Sequence, residues 1–238
     1  MQYVGSKRRI SKEIVPIIQS CITKETSLYI EPFVGGANVI DKIQCKKKIG
    51  CDVHKQLIAL LKQAQDDVSV FPESISEEEY INVKNNKEQY PDWYVGLVGF
   101  TATFGNKYFG GFARNKKGTD YARTAINTIK KQSELLKEVD FYNTSFLGID
   151  PQKISNAVIY CDPPYRGTTK YKTDPFPYED FYAWCKELSK NNIVLISEYN
   201  MPEEFTCIWE KGINMSMGSG INKSETYRVE RLFTYNNK

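Results

Sequence analysis

One stretch constrains this chain more than any other: the apolar run Ala157-Val158-Ile159-Tyr160-Cys161, which ends abruptly on Asp162-Pro163-Pro164-Tyr165. The run reads as a buried strand, and the prolines that follow it cannot continue a ladder of hydrogen bonds. A buried strand of this kind belongs to a mainly parallel sheet covered by helices on both faces.

The same alternation of short β-type runs and helical periodicity recurs along the chain. Ile14, Val15, Ile17, Ile18 and Cys21 fall at helical spacing behind Ser11 as N-cap. The strand-like Ser27-Leu28-Tyr29-Ile30 then stops at Glu31-Pro32 and a pair of glycines. Val39, Ile40 and Ile43 predict a short helix, Lys48 to Asp52 a second strand, and Leu57, Ile58, Leu60 and Leu61 another helix. Further strands are expected at Phe141-Tyr142, Ile193 to Ser197, Thr206 to Lys211 and Arg228 to Tyr235, with an aromatic helix around Phe181, Tyr182 and Trp184. Between about Val70 and Lys137 the rhythm breaks, first with Glu77-Glu78-Glu79 and Asn85-Asn86-Lys87, then with a glycine- and aromatic-rich stretch from Phe100 to Phe112. The expectation is an α/β core of residues 1–67 and 138–238, interrupted by a mainly helical insert, 68–137. At 238 residues there is room for one such domain and its insert, not for two full domains.

Composition excludes several classes of function. No apolar run approaches the roughly 20 residues of a membrane helix, and the stretch after Lys7-Arg8-Arg9 is broken by Ser11, Lys12 and Glu13, so no signal peptide is read. A soluble, cytoplasmic protein is expected, with no membrane partner. Six scattered cysteines and a single histidine, His54, offer no metal-ligand spacing; they read as reduced, mostly buried thiols and no metal is expected. A net charge of +3 does not by itself imply a polyanion, and on charge alone Lys46-Lys47-Lys48 and Arg114 to Lys117 read as solvated surface.

Ligand sites in such sheets lie at the carboxyl ends of the strands, where two loops carry chemistry. Glu31-Pro32-Phe33-Val34-Gly35-Gly36 lets the backbone approach a ligand, but it matches neither the dinucleotide fingerprint nor a P-loop. Asp52 ends the next strand, where a carboxylate can accept from ribose hydroxyls; a plain surface aspartate is the equal alternative. In the second loop, Pro163 and Pro164 hold the Asp162 carboxylate and the Pro163 carbonyl as two rigid acceptors, beside the flat face of Tyr165. A given tetrapeptide arises by chance in on the order of one chain in a thousand, so a turn without chemistry is the weaker reading. Two acceptors suit an aromatic amine, whose lone pair is delocalised: binding its hydrogens turns the nitrogen toward a tetrahedral shape and aims the lone pair at an electrophile. In a duplex that atom is reachable only when the base is flipped out.

In this order, the motifs resemble those of the amino-methylating DNA methyltransferases, more closely the Dam-like (D12 class, α-group) adenine N6-methyltransferases, and closest of all the compact forms carried by phages and prophages. Tyr3-Val4-Gly5-Ser6-Lys7 looks like that family's N-terminal cofactor motif, Glu31 to Gly36 like its main cofactor loop and Asp52 like its ribose-binding acid. The family usually reads aromatic-x-G-x-G, whereas Gly35 and Gly36 are adjacent here. The resemblance implies a Rossmann-like class I methyltransferase core with a helical target-recognition insert, S-adenosylmethionine as cofactor and double-stranded DNA as partner. It implies cofactor contacts for Tyr3, Lys7, Glu31, Phe33, Gly35, Asp52, Ser145, Phe146 and Asp162, and a catalytic tetrad of Asp162, Pro163, Pro164 and Tyr165. Arg114, Asn115 and Lys116 are expected to face DNA, with Phe100 and Phe104 packed inside; Asn222 and Lys223, in a final hairpin, are expected beside the flipped nucleotide. Trp184 and Tyr182 read as core. Glu198, at a strand end, is either functional or structural. Cytosine N4 methylation, which more often uses serine at the position of Asp162, and a catalytically idle DNA-binding relative are the alternatives; methylation of a protein glutamine is disfavoured by the aspartate.

Overall fold

In a computed structural model of the chain, which describes residues 1–114, 118–166, 176–217 and 224–235, seven strands form one sheet in the order β3-β2-β1-β4-β5-β7-β6. The strands are β1 (Leu28–Glu31), β2 (Lys48–Asp52), β3 (Val139–Asn143), β4 (Ala157–Cys161), β5 (Ile193–Glu198), β6 (Phe205–Met217) and β7 (Ser224–Tyr235). β1 to β5 run parallel; β7 lies antiparallel between β5 and β6. All five residues of β4 are buried, as an unbroken apolar run requires. Strand order reverses between β1 and β4, so the loops after these two strands diverge and leave a crevice.

Six helices among the described residues cover the sheet: α1 (Ser11–Ser20), α2 (Lys55–Asp66), α3 (Glu77–Asn85), α4 (Asp92–Thr101), α5 (Tyr121–Leu136) and α6 (Tyr178–Leu188). α2 buries Leu57, Ile58, Leu60, Leu61 and Ala64 on one stripe, and His54 caps it by accepting the Leu57 N–H at Nδ1, 3.3 Å. α1 begins one residue earlier than its sequence cue. Ile10 is its N-cap, and the Ser11 hydroxyl donates instead to the Arg8 carbonyl, 3.1 Å, which ends a preceding 3-10 turn. Val39, Ile40 and Ile43 form no α-helix, only a 3-10 turn at Ile40–Lys42.

Residues 68–137 share one continuous apolar core with the sheet. Phe71, Tyr80, Leu97, Phe100, Ile126 and Leu136 are buried in the same cluster as Ile14, Tyr29 and Leu57. α4 lies so close to α2 that a methyl group on Gly96 would stand 2.2 Å from the Gln56 carbonyl oxygen. α5 reaches the loop after β1: buried Gln132 donates to the Ala37 carbonyl and the Asp41 carboxylate, both at 2.8 Å. A second, aromatic cluster on the other face joins Phe146, Phe181, Trp184 and Phe205 under β4 and β5, with Tyr182 in it as expected of core residues. The cysteines divide evenly rather than being mostly buried: Cys51, Cys161 and Cys185 are buried, Cys21 and Cys45 half-buried and Cys207 exposed. Among the described residues no helix is long and apolar enough to cross a membrane.

Candidate active site

The loop after β1 is held by its backbone. Gly35 has φ +47° and Ala37 φ +55°, so two residues within three adopt the left-handed conformation that glycine tolerates best. A Cβ on Gly35 would meet the Tyr3 ring at 3.1 Å, which places Tyr3 against this loop, and Tyr3 in turn packs on Phe100 at 5.6 Å. Asp52, half-buried at the end of β2, accepts the Gly35 N–H at 3.1 Å and the His54 N–H at 2.9 Å through different oxygens. Burial pushes its carboxyl up, while those backbone donors pull it back. Glu31 is fully buried and accepts from the Tyr29 hydroxyl at 2.7 Å; burial drives its carboxyl well above the usual carboxylate range.

Beyond β3, Ser145 caps a short 3-10 turn by accepting the Leu147 N–H. Phe146 is buried 5.8 Å from the half-buried ring of Phe33, and Phe181 closes on both. The ends of β1, β2 and β3 thus present a glycine turn, a carboxylate and an aromatic wall side by side.

At the end of β4 the prolines carry Asp162 and Tyr165 into a compact charged cluster. The Lys7 ammonium lies 2.9 Å from Asp162 Oδ1, 3.8 Å from Glu230 Oε2, and 4.3 Å above the centre of the Tyr165 ring. The Tyr165 hydroxyl donates to Glu230 Oε2 at 2.8 Å, and the ring meets Tyr199 edge-on at 4.6 Å. Tyr178, at the start of α6, donates to the Pro164 carbonyl at 2.9 Å. Burial pulls the Lys7 ammonium down, but Asp162 and Glu230 reverse this, so it is held charged. Burial pushes Asp162 up against the pull of Lys7, and raises the Tyr165 phenol far enough to keep it neutral. The Asp162 side chain remains 20 % exposed, so an incoming group can reach it.

Beside this corner, a cavity of about 330 Å³ is lined by Arg166, Tyr182, Glu198, Tyr199 and Asn200. Glu198 closes its floor: its two oxygens accept the N–H groups of Tyr199 (2.7 Å) and Arg166 (3.0 Å), and burial lifts its carboxyl to about 7.

The structure therefore brings Lys7, Asp162 and Tyr165 together, and sets Tyr3, Gly35 and Asp52 in one contact group and Phe33 and Phe146 in another. Arg114 is not among them. It is exposed and ion-paired to Glu77 at the start of α3, its Nε 2.8 Å from Oε2. Asn115, Lys116, Asn222 and Lys223 lie outside the described residues. Phe104 corrects the expectation of an inward side chain, being 70 % exposed, whereas Phe100 is buried. The loop explains this: Gly105, Asn106 and Phe109 all have positive φ, and the Phe104 N–H is committed to the Gly111 carbonyl at 2.8 Å, which turns the side chain out. Sequence reasoning missed Glu230. Its one signal is phase, since an acid two residues from buried Leu232 on a strand must share that residue's core-facing side.

A parallel sheet in this order, with one antiparallel strand inserted next to its edge and its acidic and glycine loops at the switch point, defines the class I methyltransferase fold. Within that class, the chain belongs to the D12 class N6 adenine-specific DNA methyltransferase family, which matches residues 3–217. It is accordingly an enzyme, an S-adenosylmethionine-dependent DNA methyltransferase. The type II methyltransferase M.MjaIII of Methanocaldococcus jannaschii is 27% identical over 203 residues, covering 71% of this chain and 70% of that protein. Two solved structures are more distantly similar. An rRNA methylase from Streptococcus thermophilus has a TM-score of 0.39 and 7% identity over 99% of this chain and 100% of that one. The precorrin-6y C5,15-methyltransferase of Geobacter metallireducens has a TM-score of 0.40 and 6% identity over 94% of this chain and 87% of that one.

The residues present fit the cofactor. Asp52 has lone pairs beyond the two backbone bonds it accepts, as a donor-rich ribose requires. The half-buried Phe33 beside Phe146 offers an apolar wall for an adenine ring.

Proposed function

We propose that this chain transfers a methyl group from S-adenosylmethionine to N6 of an adenine extruded from double-stranded DNA, at a specific sequence and without a metal. The observation that carries the reading is the accessible, proline-fixed carboxylate of Asp162 at the switch point, beside the ring of Tyr165 and next to a cavity. The cofactor's sulfonium supplies an electrophilic methyl carbon. Asp162 and the Pro163 carbonyl accept the two amine hydrogens, Pro164 fixes the path between them, and the Tyr165 ring stacks on the base. As the nitrogen bonds to the methyl carbon the carbon–sulfur bond would break and S-adenosylhomocysteine would leave; the Asp162 carboxylate stabilises the positive charge developing on the nitrogen, and one amine proton is then lost to solvent.

On the cofactor side, Asp52 takes the ribose hydroxyls, Phe33 with Ser145 and Phe146 takes the adenine ring, and Gly35 with Tyr3, Lys7 and Glu31 surrounds the methionine end. Residues 68–137 serve as the target-reading insert on the catalytic core of 1–67 and 138–238. Arg114, Asn115 and Lys116 of the insert serve as DNA contacts, and Asn222 and Lys223 as contacts of the extruded nucleotide. The work is done in the cytoplasm of a bacterium or an infected host cell, where such DNA lies.

Incubation with methyl-labelled cofactor and DNA lacking adenine methylation, followed by nucleoside analysis, is expected to place label in N6-methyladenine. Label in N4-methylcytosine alone overturns the substrate. Asp162→Ala is expected to lower turnover about 10²–10³-fold, in line with the loss of a group acting on the developing charge, while the protein still binds the cofactor in a calorimetric titration. A rate near the wild-type value removes Asp162 from the chemistry.

A further inference from the structure

The proposed reaction has no part for Glu230, yet Glu230 is a second carboxylate inside the cluster that carries it. Lys7 stands where the substrate must go. Its ammonium lies 2.9 Å from the Asp162 oxygen that would accept an amine hydrogen, and over the face of Tyr165 on which a base would stack. While it stays there the ammonium covers the Tyr165 face that a base would stack on, and a carboxylate already neutralised by lysine is a poor partner for charge developing on nitrogen. Moving a buried ammonium away from its counter-charge is costly unless another takes over. Among the described residues Glu230 is the other carboxylate paired with this nitrogen, at 3.8 Å, so a movement of about 1 Å transfers the ion pair. Its oxygen is held in place by the Tyr165 hydroxyl at 2.8 Å.

From this arrangement we propose that Glu230 is a positioning residue that receives the Lys7 ammonium when the target base enters, freeing Asp162 for the amine. The inference rests on the reading of Asp162 as the amine acceptor. In the resting enzyme Lys7 bridges the two acids with Asp162 as the nearer partner; in the substrate complex it pairs with Glu230. No bond to carbon or hydrogen is made or broken by the exchange. The same step leaves a carboxylate of Glu230 behind the lysine, so the corner as a whole keeps a net negative charge toward the developing cation.

The test is a double-mutant cycle on initial rates of labelled methyl transfer into adenine of DNA lacking adenine methylation, with cofactor saturating. Glu230→Gln keeps an oxygen for the Tyr165 hydroxyl and removes only the charge. It is expected to lower kcat at least tenfold without changing cofactor affinity. In a Lys7→Gln background, where no ammonium needs a new partner, the same change is expected to cost less than about threefold, and Glu230→Asp alone to recover most of the wild-type rate. Equal losses in both backgrounds overturn the proposal, as does a Glu230→Gln enzyme with wild-type kcat. Should thermal unfolding show that Lys7→Gln does not fold, the Gln and Asp variants at position 230 decide: equal rates in the two overturn it. An active Asp162→Ala enzyme, by contrast, defeats the reading of the acceptor itself, whatever the cycle gives.

Discussion

The corner after β4 and the aromatic loop after α4 are held by opposite means. The corner, residues 162–165, is fixed by two prolines and then surrounded by charge drawn from far along the chain: Lys7 from the N-terminal turn and Glu230 from β7. The loop after α4, residues 103–113, is fixed by packing. Phe109 lies against Tyr80 and Tyr108, the Phe109 N–H reaches the Gly99 carbonyl at 3.0 Å, and Phe100 beneath contacts Tyr3, His54 and Tyr108. One region concentrates buried ions, which cost stability; the other concentrates buried aromatic surface, which supplies it. The difference is that of a site set up for reaction and a platform set up to support it.

The largest expected effect breaks the platform. Phe100→Ala removes a side chain only 3 % exposed that touches the loop after β1 through Tyr3 and the start of α2 through His54. Truncating a phenylalanine in such a place costs about 3–5 kcal/mol. Urea unfolding is the measurement, and a loss under about 1 kcal/mol shows that the platform is not what holds the loop. Cofactor affinity is expected to fall with it, because Tyr3 loses its support beside Gly35.

How much of this was legible in the sequence depends on how local the cause is. The β4 corner was readable because an unbroken apolar run and two prolines act on their own backbone, and the glycine loop after β1 because a positive φ selects glycine. The pairing of Lys7 with Asp162 spans about two-thirds of the chain; only resemblance placed Lys7 near the site. Glu230 carried a signal in its phase with Leu232, but strand phase shows a face, not a partner. Phe104 went to the wrong side because hydrophobicity does not orient a side chain in a loop with four residues at positive φ, Gly105, Asn106, Phe109 and Gly111. In the same way, the break in rhythm near Val70 reads from sequence as an insert, while the burial of Gln132 against the β1 loop depends on tertiary packing. Ser11 missed its capping role because the turn before it left the Arg8 carbonyl as a nearer partner.

A smaller effect, of opposite sign, is expected at the corner. Asp162 is raised by burial more than Lys7 lowers it. A carboxyl whose folded pKa is raised contributes stability below its unfolded pKa, and that contribution is lost as pH rises through the folded value. At pH 8 the ionised carboxylate is therefore a net cost to the fold. Asp162→Asn is neutral at every pH and leaves Lys7 with Glu230 as a single balanced pair. Its Tm is expected to equal or exceed that of the wild type at pH 8, with the gap narrowing toward pH 4, while methyl transfer falls. A variant less stable at pH 8 than at pH 4, relative to wild type, shows that the ion pair with Lys7 outweighs the burial of charge, and the contrast between corner and platform disappears.

The smallest expected effect on stability is at Phe104, and it separates the two jobs within the loop itself. Its ring is 70 % exposed, on the loop that ends just before exposed Arg114. An exposed aromatic contributes little to folding, so Phe104→Ser is expected to change stability by no more than about 0.5 kcal/mol. Nucleobases offer a flat face on which an exposed aromatic can stack. Binding to duplex DNA, followed by fluorescence anisotropy at fixed salt, is expected to weaken by about 1 kcal/mol or more, the size of one base–aromatic contact. Unchanged DNA affinity with unchanged stability assigns the exposed ring neither role, and leaves target contact to the basic side chains of the loop; lost stability instead returns Phe104 to the platform beside Phe100.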